Sequence, residues 1–253
     1  MGSLSDKKAM ITGASQGIGY AIAEGLIRAG CHVAIHYFRN GEGPQRLKEL
    51  ATSLGQHAEC FQADLMDPQA AIACTDQCLL FLGGLDVLVN NTGSLVERRF
   101  LADIDLGYWH RVIELNLTTM MTVSRQVLPE LEKAGGASIV NLASLAGRKG
   151  GHAGSLVYST TKGAVITWTR SLASEVGPKG IRVNCVAPGL ILGTSFHATH
   201  TTPASVRETT DSIPLGRAGS PEDVARAVVF LAGEYDGFIT GSTLDINGGV
   251  YFA

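Results

Sequence analysis

Short, continuous apolar runs alternate along this chain with longer stretches whose apolar positions recur every three or four residues. Runs bounded by glycine or polar turns suit strands buried on both faces, and the longer period suits helices. Strands are expected at Lys8–Thr12, Cys31–Tyr37, His57–Gln62, Asp86–Val89, Ser138–Ala143, Arg182–Ala187 and Thr243–Ile246. Helices are expected up to Ala29 and over Gly43–Leu54, Pro68–Leu82, Leu106–Lys133, Ser155–Val176 and Pro221–Ala232. Gly30 and Gly83 suit the left-handed residue after a helix, and Pro68 and Pro221 suit a helix start. Leu106–Lys133 is expected as one long helix bent near Pro129, and Gly189 to Gly219 as an irregular segment. Strand and helix alternate without a composition shift. The pattern predicts an α/β fold, a doubly wound parallel sheet of about seven strands with helices on both faces, as one domain over residues 1–253.

Composition narrows the function classes. A chain of 253 residues buries roughly three-quarters of its unfolded surface and needs neither disulfides nor a metal to fold. A formal charge of −3 and a pI near 6.2 give no footprint for nucleic acid or an anionic membrane. The five cysteines, Cys31, Cys60, Cys74, Cys78 and Cys185, lie in apolar segments and read as buried hydrophobes in a reducing compartment. No secretory apolar region follows the N-terminus and no apolar run reaches the length of a membrane span, so a soluble, cytoplasmic protein is expected.

In doubly wound sheets ligands sit at the carboxyl ends of the strands, where strand order reverses. Gly13, Gly17 and Gly19 fall between the first strand and its helix, where glycines let the backbone approach a pyrophosphate stabilised by the helix N-terminus. Asp64 ends the third strand, placed either to accept from an adenine amino group or to cap the helix at Pro68. Asn90 to Gly93 ends the fourth. Tyr158 and Lys162, four residues apart, share one helix face, where an ammonium beside a phenol favours the phenolate. That spacing alone is common, and a tyrosine packed under a solvated lysine is its plain alternative.

Together, Thr12-Gly-Ala-Ser-Gln-Gly-Ile-Gly19, Asn90-Asn-Thr-Gly93, Asn116, Ser144, Tyr158-x-x-x-Lys162 and Pro188-Gly189 resemble the classical short-chain dehydrogenases/reductases, over essentially the whole chain. The resemblance implies a Rossmann-type fold, a nicotinamide cofactor and a catalytic tetrad of Asn116, Ser144, Tyr158 and Lys162. It places cofactor contacts at Gly13, Ser15, Gln16, Gly17, Ile18 and Gly19, at Tyr37, Arg39 and Asn40, and at Asp64 and Leu65. It adds Asn91, Thr92 and Gly93, then Tyr158 and Lys162 themselves, and Pro188, Gly189, Ile191 and Thr194.

The implied chemistry, hydride transfer coupled to proton movement at a carbonyl or carbinol oxygen, suits those residue types. A tyrosine needs roughly 3 pKa units of help, about 4 kcal/mol, to be a phenolate near neutrality; Lys162 and an oxidised nicotinamide are the available cations. Ser144 can donate to a developing alkoxide. Asn116 in the family holds a water that relays protons from Lys162; a satisfied core asparagine is the alternative. Thr92 replaces the usual alanine, and the threonine that usually follows Pro-Gly is shifted from position 193, a glycine, to Thr194. At the end of strand two Tyr37 replaces the acid of NAD-preferring relatives and Arg39 lies nearby. That favours NADP(H), with NAD(H) the alternative, although Gln16 stands where many NADP-users have arginine.

The substrate walls are expected from Ser94–Phe100, Leu145–Ser155 and a lid at Leu190–Ile213, with His152 close to the tetrad. His197 and His200 have metal-like spacing without a third ligand, so no metal site is expected. The tail Thr240–Ala253 is similar to that of 3-oxoacyl-[acyl-carrier-protein] reductases, yet Gly135 and Ser174 stand where bacterial members carry carrier-binding arginines. Arg98, Arg99, Arg148 and Lys149 form the one basic cluster that could replace them. A small ketone, polyol or sugar is therefore expected as substrate. Carrier-linked reduction and a non-catalytic dinucleotide sensor are the alternatives. Neither a nucleic-acid nor a membrane partner is expected, and the resemblance implies a homo-tetramer built on the two long helices.

Overall fold

The computed structural model describes residues 4–194, 202–233 and 237–253. Seven strands, β1 (Lys8–Ile11), β2 (His32–Tyr37), β3 (Ala58–Gln62), β4 (Val87–Asn90), β5 (Ala137–Leu142), β6 (Ile181–Pro188) and β7 (Thr243–Ile246), form one sheet. Their order is β3-β2-β1-β4-β5-β6-β7, and every pairing is parallel. The helices are α1 (Gly17–Arg28), α2 (Glu42–Ser53), α3 (Pro68–Leu82), α4 (Leu106–Ile113), α5 (Thr119–Ala134), α6 (Leu145–Lys149), α7 (Leu156–Val176), α8 (Pro203–Asp211) and α9 (Pro221–Ala232). One apolar core joins β1 and β2 to α1 and α9 through Ile11, Ile22, Leu26, Ile35 and Val228. The other joins the opposite face to α3, α5 and α7 through Met10, Leu88, Val127, Ile139 and Val176. This is the fold expected from the alternation of periods, with apolar strands because both faces are covered.

Three local departures bear on function. Leu106–Lys133 is not one α-helix: a π turn over Glu114–Thr118 separates α4 from α5, while Pro129 lies inside α5. The side-chain amide of Asn116 donates to the Val112 carbonyl at 2.9 Å, the acceptor that a straight helix would give to the Asn116 main-chain N–H. The short helix α6 fills a stretch read as loop. Part of the segment read as irregular is α8, which Thr202 caps by accepting from the Ser205 N–H at 3.2 Å. The cap of α3 is Asp67, which accepts from the Gln69 and Ala70 N–H groups, so Asp64 is free of that role.

Strand order reverses between β1 and β4, and side chains stitch that crevice together. The Thr12 hydroxyl accepts from the main-chain N–H groups of Asn91 at 3.0 Å and Thr92 at 3.1 Å. The Asn91 amide donates to the carbonyls of Thr12 and Gly13, both at 2.9 Å. Deeper, a buried polar seam crosses the sheet. Asn90 donates to Ser124 Oγ on α5 at 3.0 Å and to Asn141 Oδ1 on β5 at 2.9 Å. Asn141 in turn donates to Thr169 Oγ1 on α7 at 3.0 Å. No described helix is long and apolar enough to cross a membrane.

Candidate active site

A cleft of about 990 Å³ runs along the carboxyl ends of the strands, from the end of β2 to helix α8. One end is lined by Gly13 and Ser15–Gly19, by Phe38, Arg39 and Asn40, and by Asp64 and Leu65; Asn91, Thr92 and Gly93 line its middle. Ser144, Tyr158, Lys162, Pro188, Gly189, Ile191 and Thr194 line the same cleft. The fold therefore brings most of the residues expected from the sequence onto one surface. Two are off it: Tyr37 and Asn116 do not line the cleft.

Tyr37 is turned away because side chains alternate along a strand. His36 and Phe38 face the cleft, while the Tyr37 ring packs against Gly41, where a Cβ would lie 3.3 Å from its hydroxyl. Nothing at the sequence level singled out His36. Its Nδ1 accepts from the Gly13 N–H at 3.0 Å and its Nε2 faces the Ala63 carbonyl at 3.2 Å, so the network requires the neutral Nε2–H tautomer. Burial also lowers its pKa. One imidazole thus joins the glycine loop to the strand end carrying Asp64. The inward parity of position 36 was the only hint in the sequence.

The glycine loop has the shape of a dinucleotide cradle. Gly19 must be glycine: a Cβ there would stand 2.4 Å from the Gly13 carbonyl oxygen. No side chain caps the start of α1 and no acid lies in its first turn, as an anion-binding N-terminus requires. The Thr92 hydroxyl, buried behind the loop, has no hydrogen-bond partner among the described residues. Thr194 bends back to donate to the Ile191 carbonyl at 3.2 Å, with its methyl 3.3 Å from where a Gly17 Cβ would be. At the far end Arg39 stacks over Phe38 at 4.7 Å.

Ser144, Tyr158 and Lys162 converge. Ser144 ends the turn after β5 and begins α6, its Oγ accepting from the Ala146 N–H at 3.1 Å. The Ser144 hydroxyl lies close enough to Tyr158 to lower the pKa of its phenol. Lys162 is buried, and its ammonium donates to the Leu142 carbonyl at 2.7 Å and sits 5.8 Å from the centre of the Tyr158 ring. Burial pushes the Lys162 pKa down to about 8. Burial also pushes the Tyr158 phenol up to about 12, although the Ser144 hydrogen bond lowers it in part. In the protein alone desolvation outweighs the effect of Ser144; the phenolate expected from the sequence draws on an oxidised nicotinamide as well as on Lys162.

Asn116 stands behind this group. Its amide donates to the Ser94 carbonyl at 2.8 Å and its oxygen accepts from the Ser94 N–H at 3.1 Å, so both ends of the side chain are engaged. A Cβ on Gly93 would lie 2.6 Å from Asn116 Oδ1 and 3.0 Å from Lys162 Nζ; the bare backbone there lets the two approach.

The predicted substrate walls also line the cleft, with Ser94, Val96 and Arg98, Lys149 and His152, and the α8 face of Ser205, Glu208 and Thr209. Two members of the predicted basic cluster are engaged in ion pairs. Arg148 is paired with Asp245 and Arg99 with Glu97 and Asp105. His197 and His200 lie outside the described residues. Among the described residues no group of three potential metal ligands is gathered; Cys74 and Cys78 are buried in the core.

Fold and site define a dinucleotide-dependent oxidoreductase, and comparison with known proteins agrees. The family model for enoyl-(acyl carrier protein) reductase matches residues 13–251. The chain is 35% identical over 249 residues to a 3-oxoacyl-[acyl-carrier-protein] reductase of Aquifex aeolicus, covering 98% of each. A short-chain dehydrogenase of Burkholderia cenocepacia in complex with NADP superposes with a TM-score of 0.90 at 33% identity, over 98% of this chain and 99% of that one. An NADH-dependent reductase of alginate metabolism superposes with a TM-score of 0.89 at 30% identity, over 99% of each chain. The chain belongs to the short-chain dehydrogenase/reductase family and is an NAD(P)-dependent oxidoreductase.

Proposed function

We propose that the protein interconverts a ketone and a secondary alcohol at the junction of Ser144, Tyr158 and Lys162, all of residues 1–253 forming one Rossmann domain. The single observation that carries this reading is the convergence of those three side chains on the cleft that also holds the Gly13–Gly19 cradle. A bound nicotinamide cofactor supplies or accepts the hydride. The chain's own residues handle the proton. Tyr158, neutral at pH 7 like any tyrosine and with its pKa pushed further up to about 12 by burial, donates its proton to the carbonyl oxygen in reduction. The single Ser144 proton is donated to the same oxygen as negative charge develops, and turns to the Tyr158 phenolate only when that oxygen is absent. The Lys162 ammonium, 5.8 Å from the ring centre, adds a fixed positive charge. Asn116 acts here as a positioning residue, since both ends of its amide hold Ser94. Neither a metal nor a nucleic-acid or membrane partner enters this reading.

NADP(H) is the favoured cofactor. At the end of β2 the cleft presents Phe38, Arg39 and Asn40 and no carboxylate, which would suit a 2′-phosphate and would leave a ribose 2′-hydroxyl without its usual acceptor. NAD(H) remains the alternative, since one structural relative is described as NADH-dependent. Comparing kcat/KM for NADPH and NADH tests this; a preference for NADH overturns it.

For the substrate we favour a small ketone, polyol or sugar. The engagement of Arg148 and Arg99 in internal ion pairs and the residues Gly135 and Ser174 support that choice over a carrier-linked oxoacyl group. The carrier-protein reductase relative supports the second reading. Assay of oxoacyl thioesters against a panel of ketones and sugars discriminates, and activity confined to carrier-linked substrates overturns our choice. A cytoplasmic homo-tetramer is part of the proposal; sedimentation tests the assembly. A non-catalytic sensor would show cofactor binding without turnover on any of these compounds.

A further inference from the structure

The short helix α6 is gripped on two sides. Its first residue follows Ser144, whose Oγ accepts from the Ala146 N–H. On one side Gly147 lies flat on the backbone of α7, where a Cβ would come within 2.4 Å of the Lys162 carbonyl carbon and 2.6 Å of the Gly163 nitrogen. On the other, Arg148 reaches the last strand of the sheet. Its Nε donates to Asp245 Oδ1 at 3.1 Å, and its Nη2 to Asp245 Oδ2 at 3.0 Å and to the Thr243 carbonyl at 3.2 Å. The side chains of Arg148 and Asp245 are only 10% and 18% exposed, so solvent screens this two-pronged pair less than the surface pairs elsewhere on the chain. Asp245 pairs in register with Ala187, and the next pair is Ile246 with Pro188. The clamp therefore ties the turn carrying Ser144 to the strand end carrying Pro188 and Gly189.

We propose that the Arg148–Asp245 pair is a positioning device that sets the Ser144 hydroxyl against Tyr158. The inference rests on the catalytic reading above. It follows from the mechanics of a five-residue helix, which is too short to hold its own geometry. Without the clamp α6 keeps its contact with α7 but loses the tie that fixes its rotation, and Ser144 Oγ turns with it. A displacement of about 1 Å at a catalytic group costs up to ~100-fold in rate.

The test uses the full-length enzyme saturated with cofactor, and variants Arg148→Ala, Arg148→Lys, Asp245→Asn and the swap Arg148→Asp/Asp245→Arg. Arg148→Ala and Asp245→Asn are expected to lower kcat about 10- to 100-fold with cofactor KM nearly unchanged. Lysine, which keeps the charge without the fork, recovers only part of that loss. The swap recovers more than either of its component substitutions. In the alcohol-oxidation direction, the alkaline rise of kcat should move to higher pH in Arg148→Ala and in Ser144→Ala alike, because both remove a hydrogen bond that favours the phenolate. Loss of folded protein alone scales the profile without moving it. A profile that keeps its midpoint in Arg148→Ala while moving in Ser144→Ala overturns the clamp and leaves the catalytic reading intact. Turnover that survives Tyr158→Phe overturns the catalytic reading itself.

Discussion

The Lys162 ammonium approaches Tyr158 over the face of its ring, 5.8 Å from the centre, while its hydrogen bond goes to the Leu142 carbonyl at 2.7 Å. The lysine thus supplies a fixed charge beside the phenol and is held by the sheet. In the proposed mechanism proton donation rests with the Tyr158 hydroxyl. Tyr158→Phe is expected to lower kcat by roughly 10³-fold or more, in line with loss of a general acid, with cofactor affinity within about two-fold of wild type. Single-turnover rates and a fluorescence titration of the cofactor check both halves.

Burial of Lys162 has a thermodynamic signature. Its folded pKa, about 8, lies below the ordinary lysine value of 10.5. Between those values the unfolded chain holds a proton that the folded chain has released, so this group's contribution makes stability rise with pH across that window. The size is at most about 3 kcal/mol. Lys162→Met removes the titration: the stability difference between wild type and variant, measured by urea unfolding from pH 7 to 10.5, should shift steadily in favour of wild type. Turnover of the variant should be lost at every pH.

The glycine loop depends on His36. Removing its imidazole leaves the Gly13 N–H and the Ala63 carbonyl without their partners, a loss of about 1–3 kcal/mol. His36→Ala is expected to weaken cofactor binding about 10-fold with kcat at saturation within about two-fold. Protonation of Nδ1 would set two donors face to face. Because burial lowers the folded pKa, wild-type affinity should hold through neutral pH and fall only below the ordinary histidine range, a fall that His36→Ala should not show. Calorimetric titration between pH 5 and 8 reads both effects.

Much of this was legible in the sequence. Strand and helix periods, glycine placement and the spacing of Tyr158 and Lys162 are local signals, and the parallel sheet follows from alternation of the two element types. The misses are tertiary. Asn116 distorts its helix by bonding Val112 and Ser94, and no local pattern announces a π turn. Helix α8 did carry a start signal, Thr202 before Pro203, hidden among threonines that read as loop. The direction of the Tyr158 shift depends on how much water is excluded from it, and a sequence reports neighbours without reporting burial. Strand parity turns His36 to the cleft and Tyr37 away from it, which adjacent positions in a sequence do not reveal.

Stability should depend on Asp223 at the start of α9. Its carboxylate accepts from the Ser220 N–H at 2.9 Å and from Arg217 at 2.7 Å. The Arg217 hydrogen bond first, then the Ser220 N–H, holds its pKa well below the usual carboxylate range. The stabilisation is complete above the unfolded value near 4 and is lost as pH falls through the folded one. Asp223→Ala is expected to cost about 1–2 kcal/mol at pH 7, with a smaller difference at pH 2 to 3. Thermal unfolding of both proteins across that range measures it.

The seam of Asn90, Asn141, Ser124 and Thr169 divides the labour of the molecule. It pins α5 and α7 to β4 and β5 from inside, so the groups proposed to move the proton hang from a frame whose four residues do not line the cleft. The proposed substrate walls, among them Ser94, Val96, Arg98, Lys149, His152 and the α8 face, lie outside that frame. Exchange of these outer segments should therefore retarget the enzyme to other carbonyl compounds while the reaction it performs stays the same.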